Sequence, residues 1–410
     1  MNNSKNIAKV LAYISIFFVP FYIFRFSVLG VPTNIFEIFV GFAFLSTVYY
    51  LLSSKTKINF GPIWPYLFLV AAAVSAYVSS DHIRALGILK GWFFVPIVLY
   101  LVVINLFNAQ KTRLAIPFFA STLIVSIWAI LQKVGVIGAL FYQKNNNEIV
   151  QYLVHPLRAF GPFDSPNYLA MYLVPMMFLS IPIFKLVRNK YRRIVIILTF
   201  LLPSIAVYFS GSRAGLLALL AGVIVYLVNE TIWHKNKKAL FAALILSAVL
   251  IYGFYGFITT KDSSRAISNN SRVQIYKYAI GMIKSNPIAG IGLGDFHSDI
   301  ATVSKDDGDF QVYKLPYAVH PHDVFLAMWL NLGLAGLIIF IVILIRFFKY
   351  EIQTKDRFQA GLVLSAMTAI LVHGLFDTTY FKNDLSAIFW LIIAIKIIYE
   401  KREEKIDIKN

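Results

Sequence analysis

An all-α, polytopic membrane fold of about twelve transmembrane helices is the class this sequence predicts, and three observations carry it. Of its 410 residues, 59% are hydrophobic and only 14% charged, against roughly 45–50% and about 25% in soluble globular chains. The mean hydropathy of +0.70 describes more apolar surface than a soluble core can use, whereas lipid can take it. The apolar residues also fall into blocks long enough to cross hydrocarbon, which takes about 20 residues per helix.

In chain order the blocks are Val10–Phe24, Asn34–Leu52, Phe60–Ser79, Gly91–Phe107, Leu114–Ile137, Tyr168–Phe184, Ile194–Phe209, Ala214–Val228, Leu240–Phe257, Val324–Ile345, Ala360–Phe376 and Leu385–Ile398. The seventh and eighth are parted only by the Gly211–Arg213 turn. The first has no small-residue cleavage site, and Pro20 and Arg25 stand where one would fall, so it reads as a retained anchor. The whole chain, 1–410, is expected to be one integral membrane domain, with 259–321 inserted as an extracytoplasmic loop between helices nine and ten.

Charge supplies the orientation. With both termini in the cytoplasm, the inner loops hold Lys55 and Lys57, Lys111 and Arg113, the group from Lys185 to Arg193, Lys235 to Lys238, and Arg346 to Arg357. That pattern follows the positive-inside rule. It also accounts for the net charge of +18 without nucleic acid as a partner. The absence of cysteine excludes disulfides, thiolate metal sites and a cysteine nucleophile. No phosphate-binding loop or dinucleotide fingerprint is present. The expected outer face carries His82, His155, His297, His320 and His322, five of the seven histidines, with His373 near the outer end of the eleventh span.

Several constellations there could carry chemistry. Val319-His320-Pro321-His322-Asp323 precedes span ten; a neutral imidazole at a helix mouth can take a proton from a hydroxyl near neutral pH. The plainer alternative is that His322 and Asp323 cap the helix. A metal site from His320, His322 and Asp323 lacks the further ligands it would need. Gly211-Ser212-Arg213-Ala214-Gly215 places an arginine in a short apolar turn, where it meets an anion, lines a wet cavity or snorkels to the interface. Arg272 precedes an amphipathic stretch, Val273–Lys284, and then Pro287–Phe296, whose glycines form a tight turn leading back to the membrane. Asp306, Asp307 and Asp309 resemble a fragment of a calcium loop but read as a solvated tip. Arg158 stands in Arg158–Phe163, ahead of Ser165-Pro166-Asn167, and Arg84 and Lys90 lie in a short outer stretch. His373 and Asp377, one turn apart, share a helix face on which they could simply bond each other. Few ionisable residues are expected at mid-span, with Glu37 as the exception. Arginine pairs with phosphate bidentately, so Arg84, Lys90, Arg158, Arg213 and Arg272 together suit an anionic, lipid-bound substrate such as a lipid diphosphate.

These motifs resemble those of the O-antigen ligase and O-antigen polymerase superfamily of bacterial membrane glycosyltransferases. His322-Asp323, nine residues, Gly333, two residues and Gly336 fit the ligase spacing, with Asp323 where that family usually has an amide or hydroxyl. Gly211–Gly215 is similar to its G-S-R-x-G turn, Arg272 with Pro287–Phe296 to its loop motif, and His373–Asp377 to its penultimate helix. The resemblance implies a GT-C-like membrane enzyme of the bacterial cytoplasmic (inner) membrane, with its active site outward. It implies inverting transfer of a glycan from undecaprenyl diphosphate to a glycan or lipid-linked acceptor, with no cofactor and no metal. Under it, Arg213 and Arg272 hold the diphosphate and His322 activates the acceptor, while Arg84, Lys90, Arg158, His320, His373 and Asp377 are candidates for binding substrate. Ligase and polymerase both remain open at this point. A glycan flippase or solute transporter would want more polar residues along the midplane.

Overall fold

The computed structural model describes residues 2–28, 30–107, 111–138, 158–233, 238, 241, 263–306, 320–351 and 357–407. Helix dominates them: α1 (Asn2–Phe17), α2 (Ile35–Ser53), α3 (Trp64–Val78), α4 (His82–Leu106), α5 (Ala115–Lys133), α6 (Pro166–Ser180, continued by a 3-10 segment Ile181–Leu186), α7 (Asn189–Ser210), α8 (Arg213–Trp233), α9 (Ser263–Ser285), α10 (Phe296–Asp306), α11 (Val324–Glu351), α12 (Arg357–Gly374) and α13 (Asn383–Asp407). Among the described residues, seven helices are long and apolar enough to cross a membrane, and Trp64–Val78 and Phe358–Gly374 are shorter apolar ones. The expected ninth span lies outside the described residues apart from Phe241. The apolar side chains facing outward fit lipid: Leu45 on α2 is 65% exposed and Val74 on α3 is 60% exposed, which in water would be a large unpaired apolar surface.

Several expectations are corrected. The first helix lies earlier than the expected span, because α1 runs from Asn2 and stops at Phe17, and Pro20 sits in a 3-10 turn. The chain then forms a hairpin, β1 (Arg25–Val28) with β2 (Val31–Asn34), a two-stranded exception to the all-α class. Arg84 and Lys90 belong to a helix rather than a separate stretch, since α4 runs unbroken from His82, with a π-helical turn over Leu89–Phe94. Glu37 is not at mid-span. It lies in the first turn of α2, where Asn34 caps the helix by accepting from Glu37 N at 3.0 Å, half of a capping box.

The centre of the bundle is α13. Its face from Asn383 to Ile395 is buried, and Trp390 is wholly enclosed. Trp390 Nε1 donates to Tyr380 Oη at 3.0 Å, which donates to Trp92 O at 3.0 Å, tying α13 to α4. Lys396, also buried, donates to the carbonyls of Arg346 and Phe347 at 2.9 and 2.7 Å. These lie near the C-terminal end of α11, where a cation is favoured.

The helix α11 is broken at Gly333, whose φ of 67° and ψ of −175° are not helical. An intact helix would join Leu334 N to Leu330 O. Here Leu334 N donates instead to Ile288 O, and Leu330 O accepts from Ile291 N, each at 2.9 Å. The glycine loop 286–296 is thus inserted into the break and satisfies the backbone groups that the break releases, as apolar surroundings require. Gly294 N donates to Asn331 Oδ1 at 3.0 Å and Trp329 Nε1 donates to Pro287 O at 2.7 Å. Asp295 accepts from Ser79 Oγ and Ser80 N, both at 2.7 Å, which locks the loop to the end of α3. A Cβ on Gly333 would meet Ile288 O and Ala289 O, and one on Gly290 would meet Trp329 O and Leu330 O. Gly333→Ala should therefore destabilise the protein by at least about 1–3 kcal/mol, the usual cost of that backbone region alone. The control is Gly281→Ala, at an exposed helical position where a Cβ meets nothing; it should be neutral or stabilising. Thermal unfolding of the detergent-solubilised variants checks both.

Candidate active site

The ends of several helices bring the polar residues of the predicted motifs to one end of the bundle. Local capping fixes where each begins. Ser165 caps α6, accepting from Asn167 N at 3.2 Å, with Pro166 in the first turn. Ser212 precedes α8 and accepts from Gly215 N at 3.2 Å, which puts Arg213 at the first helical position. Asp323 caps α11 by accepting from Leu326 N at 2.8 Å. Asp323 therefore does what an amide or hydroxyl does at an N-cap. Burial raises its carboxyl pKa, while its backbone hydrogen bonds to Leu326 and Phe325 act to lower it. His322 itself does not cap: it stands one residue ahead, with φ of 49°. A bulky residue in that region is uncommon and costs backbone energy.

What orients the imidazole is Asp377. His322 Nδ1 lies 3.2 Å from Asp377 Oδ1, and both side chains are nearly inaccessible. Tyr276 Oη, from α9, donates to the His322 carbonyl at 3.0 Å. Asp377 is held on three sides. Thr378 N donates to Oδ1 at 2.9 Å and Asn167 Nδ2 donates to Oδ2 at 3.1 Å. Burial alone would raise the Asp377 carboxyl, but His322, His373 and Arg272 outweigh it and hold the group well below the usual carboxylate range. Asp377 therefore stays ionised, and with Nδ1–H directed at it, Nε2 is the ring nitrogen that carries the lone pair.

Asn167 is in turn fixed by Arg158, whose Nη2 donates to Asn167 Oδ1 at 3.1 Å and whose Nε donates to Ser210 O at 2.7 Å. One run of contacts thus joins Ser210 at the end of α7, Arg158, Asn167 at the start of α6, Asp377 after α12, and His322 before α11. Gly211 follows Ser210 in the left-handed conformation, with the Arg158 side chain against it, and Arg213 opens α8 two residues later. Arg272 is half-buried on α9 and acts electrostatically on Asp377, His373 and Tyr276.

Other predicted residues are placed differently. His373 is buried at 1% exposure, and neither ring nitrogen has a hydrogen-bond partner among the described residues. It does not bond the Asp377 side chain; only the backbone Asp377 N meets the His373 carbonyl, at 3.1 Å. His320 Nε2 is 2.6 Å from Tyr168 Oη, and burial pushes its pKa down to about 4, so it is neutral at working pH. Lys90 is engaged by Glu37 at 2.8 Å and by the Pro32 carbonyl, which leaves it neutralised within its own pair. Arg84 is exposed in the first turn of α4, where Asp81 caps the helix. His155, Asp307 and Asp309 lie outside the described residues.

Sequence reasoning did not single out Asn167, Tyr168 and Tyr276 as site residues. It also missed Lys382, whose Nζ lies 2.5 Å from Asp164 and 3.7 Å from the Tyr168 ring centroid. Asn167 alone had a signal, as the polar residue of Ser165-Pro166-Asn167 beside a helix start.

Chemically, the arrangement is an oriented imidazole with a buried carboxylate behind it, near a set of arginines and helix N-termini that favour anions. The fold is that of a polytopic helical membrane protein, and the site holds an imidazole whose Nε2 lone pair can accept a proton. The O-antigen ligase family model matches residues 198–341, and the match supports the O-antigen ligase and polymerase superfamily for this chain. It spans Arg213, Arg272, the glycine loop, His322 and the Gly333 break, and stops short of Asp377 and Asn167. No curated protein matches the chain.

Proposed function

We propose that this protein is an O-antigen ligase-like glycosyltransferase. It moves a glycan from undecaprenyl diphosphate to an acceptor hydroxyl at the outer face of the bacterial cytoplasmic membrane, with both termini in the cytoplasm. The observation that carries the reading is the buried Asp377–His322 pair at 3.2 Å, set beside arginines from two separate elements. In the step, the acceptor O–H gives its proton to His322 Nε2 and its oxygen bonds the anomeric carbon. The bond from that carbon to the diphosphate oxygen breaks, and the electron pair leaves on the diphosphate. Attack opposite the leaving group inverts the anomeric centre. A diphosphate leaves well, so the chief demand is stabilisation of its developing charge. Arg213 and Arg272 meet that demand in this reading, without a metal or cofactor.

Because the guanidinium fork matches phosphate and an ammonium does not, Arg213→Lys and Arg272→Lys should each still impair transfer. A lost hydrogen bond to a charged group corresponds to roughly 10- to 150-fold in rate. Affinity for the lipid-linked donor, measured beside the rate, should fall in the Arg213 variant.

Reconstitution in vesicles with a lipid-diphosphate glycan and candidate acceptors tests the function itself. A glycosylated acceptor supports the ligase. A lengthened lipid-linked chain, with no transfer to acceptor, supports the polymerase of the same superfamily. Neither product, from folded protein, overturns the enzyme reading.

A further inference from the structure

Lys382 is a buried lysine that the reaction as described does not use. It closes the connection 375–382 between α12 and α13, on which Asp377 also stands. Its Nζ donates to both carboxylate oxygens of Asp164 at 2.5 Å and to Tyr22 Oη at 3.3 Å, and it lies 3.7 Å from the centroid of the Tyr168 ring. A buried ion pair is often no more stabilising than apolar side chains of the same volume. Stability alone therefore gives no reason for a lysine at this position, but the geometry does. Three segments bring the site together: 158–168 leading into α6, 320–323 leading into α11, and 375–382. Asn167 and His322, from the first two, each meet Asp377 from the third, at 3.1 and 3.2 Å. A second set of contacts joins the same three segments. Tyr168, next to Asn167, has its Oη 2.6 Å from Nε2 of His320, in the segment that carries His322. Lys382 lies over the face of that same tyrosine, where a cation is attracted, and its bond to Asp164 holds it there. The segments are thus pinned to one another twice, once through Asp377 and once through Lys382.

We infer that Lys382, paired with Asp164, is a positioning residue for glycan transfer. It holds the 375–382 connection against the start of α6, and so keeps the Asp377 carboxylate aimed at His322 Nδ1. It acts through Asp377 and not on the substrate. The inference rests on the glycosyltransferase reading for its effect on rate, since an imidazole with its proton fixed on Nδ1 keeps Nε2 ready as the base. A displacement of about 1 Å in such an arrangement can cost about 100-fold in rate.

The test uses the full-length protein in vesicles, with the lipid-diphosphate donor and an acceptor for the rate, and with labelled histidine nitrogens for magnetic resonance. Lys382→Met keeps the stem and removes the charge. Asp164→Asn is the milder companion, at a side chain that is 40% exposed, and it carries the test if Lys382→Met does not fold. Each should lower kcat by about 10- to 100-fold and leave the KM for acceptor nearly unchanged, and Lys382→Arg should recover part of the loss. In an Asp377→Asn background, Lys382→Met should cost little more, because the two act on one contact. At mildly alkaline pH, where histidine is ordinarily neutral, the His322 resonances are identified by their loss in His322→Asn. They should show one tautomer, with the proton on Nδ1, in the wild type and a mixture of two in Lys382→Met and Asp164→Asn. Lys396→Met, which removes a buried lysine further along α13, should lower stability and change neither the tautomer nor kcat. A single Nδ1–H tautomer or a wild-type kcat in the folded variants would overturn the positioning role and leave the transferase reading in place. If the wild type transfers no glycan, a tautomer mixture in the variants keeps the positioning role and removes the transferase reading, and a single tautomer removes both.

Discussion

Replacing His322 is expected to lower glycan transfer by about 100- to 10,000-fold, the usual contribution of a positioned general base. The acceptor hydroxyl is a poor nucleophile until its proton is accepted, and His322 Nε2 is the group that the Asp377 contact at 3.2 Å prepares for this. His322 has φ of 49°, which an alanine tolerates poorly and an asparagine better. His322→Asn is therefore the companion to His322→Ala. It keeps the backbone and the Tyr276 contact, which is made to the carbonyl, and removes only the base. Both variants should still bind the lipid-linked donor, because Arg213 and Arg272 remain. Transfer rates under donor saturation, beside donor binding, check the prediction. A folded His322→Asn protein with near-normal transfer would leave the histidine as a residue that merely precedes a helix.

Asp377→Asn should cost about as much, although it removes a single charge and almost no volume. The amide has two ways to sit, and the neighbours oppose both. If its NH2 replaces Oδ2, it faces Asn167 Nδ2, and Asn167 cannot turn over because its Oδ1 already accepts from Arg158. If its NH2 replaces Oδ1, it opposes Thr378 N and donates to His322 Nδ1. The second arrangement forces the imidazole proton onto Nε2 and removes the base. An analogous change in a serine-protease triad lowers kcat by about 10,000-fold through the wrong tautomer, and about 100- to 10,000-fold is expected here. The fall should appear in kcat more than in the KM for acceptor, and both are measurable in the reconstituted reaction. A variant with wild-type kcat would remove the carboxylate from the mechanism and reduce the pair to a packing contact.

The membrane class, most of the spans and several site residues were legible because each is a local property. A run of apolar residues crosses lipid wherever its neighbours lie. The same is true of Arg213 in its glycine turn and of His322 before a helix: sequence places them at helix ends without knowledge of the rest of the fold. The Pro287–Phe296 glycines were also legible as a turn, although the chain beyond it runs into α10 and not into a span.

Contacts between distant residues were decided by the tertiary structure alone. His373 and Asp377 look like partners at a spacing of one turn. Yet Asp377 lies beyond the end of α12, where the chain is free to turn its carboxylate towards His322, 55 positions away in sequence. Five basic residues look alike as candidates for an anion. Packing gives Lys90 to Glu37 and ties Arg158 to Asn167 and Ser210, while Arg84 is left exposed. The break at Gly333 reads in sequence as one glycine in an apolar run. Only the approach of Ile288 and Ile291 to the opened backbone makes that break stable. The sequence by itself determined that this chain lives in a membrane and which polar residues flank its helices. Which of those residues face one another depended on the packing of helices far apart in the chain, because hydrogen bonds and ion pairs act over a few ångströms of space and take no account of sequence distance.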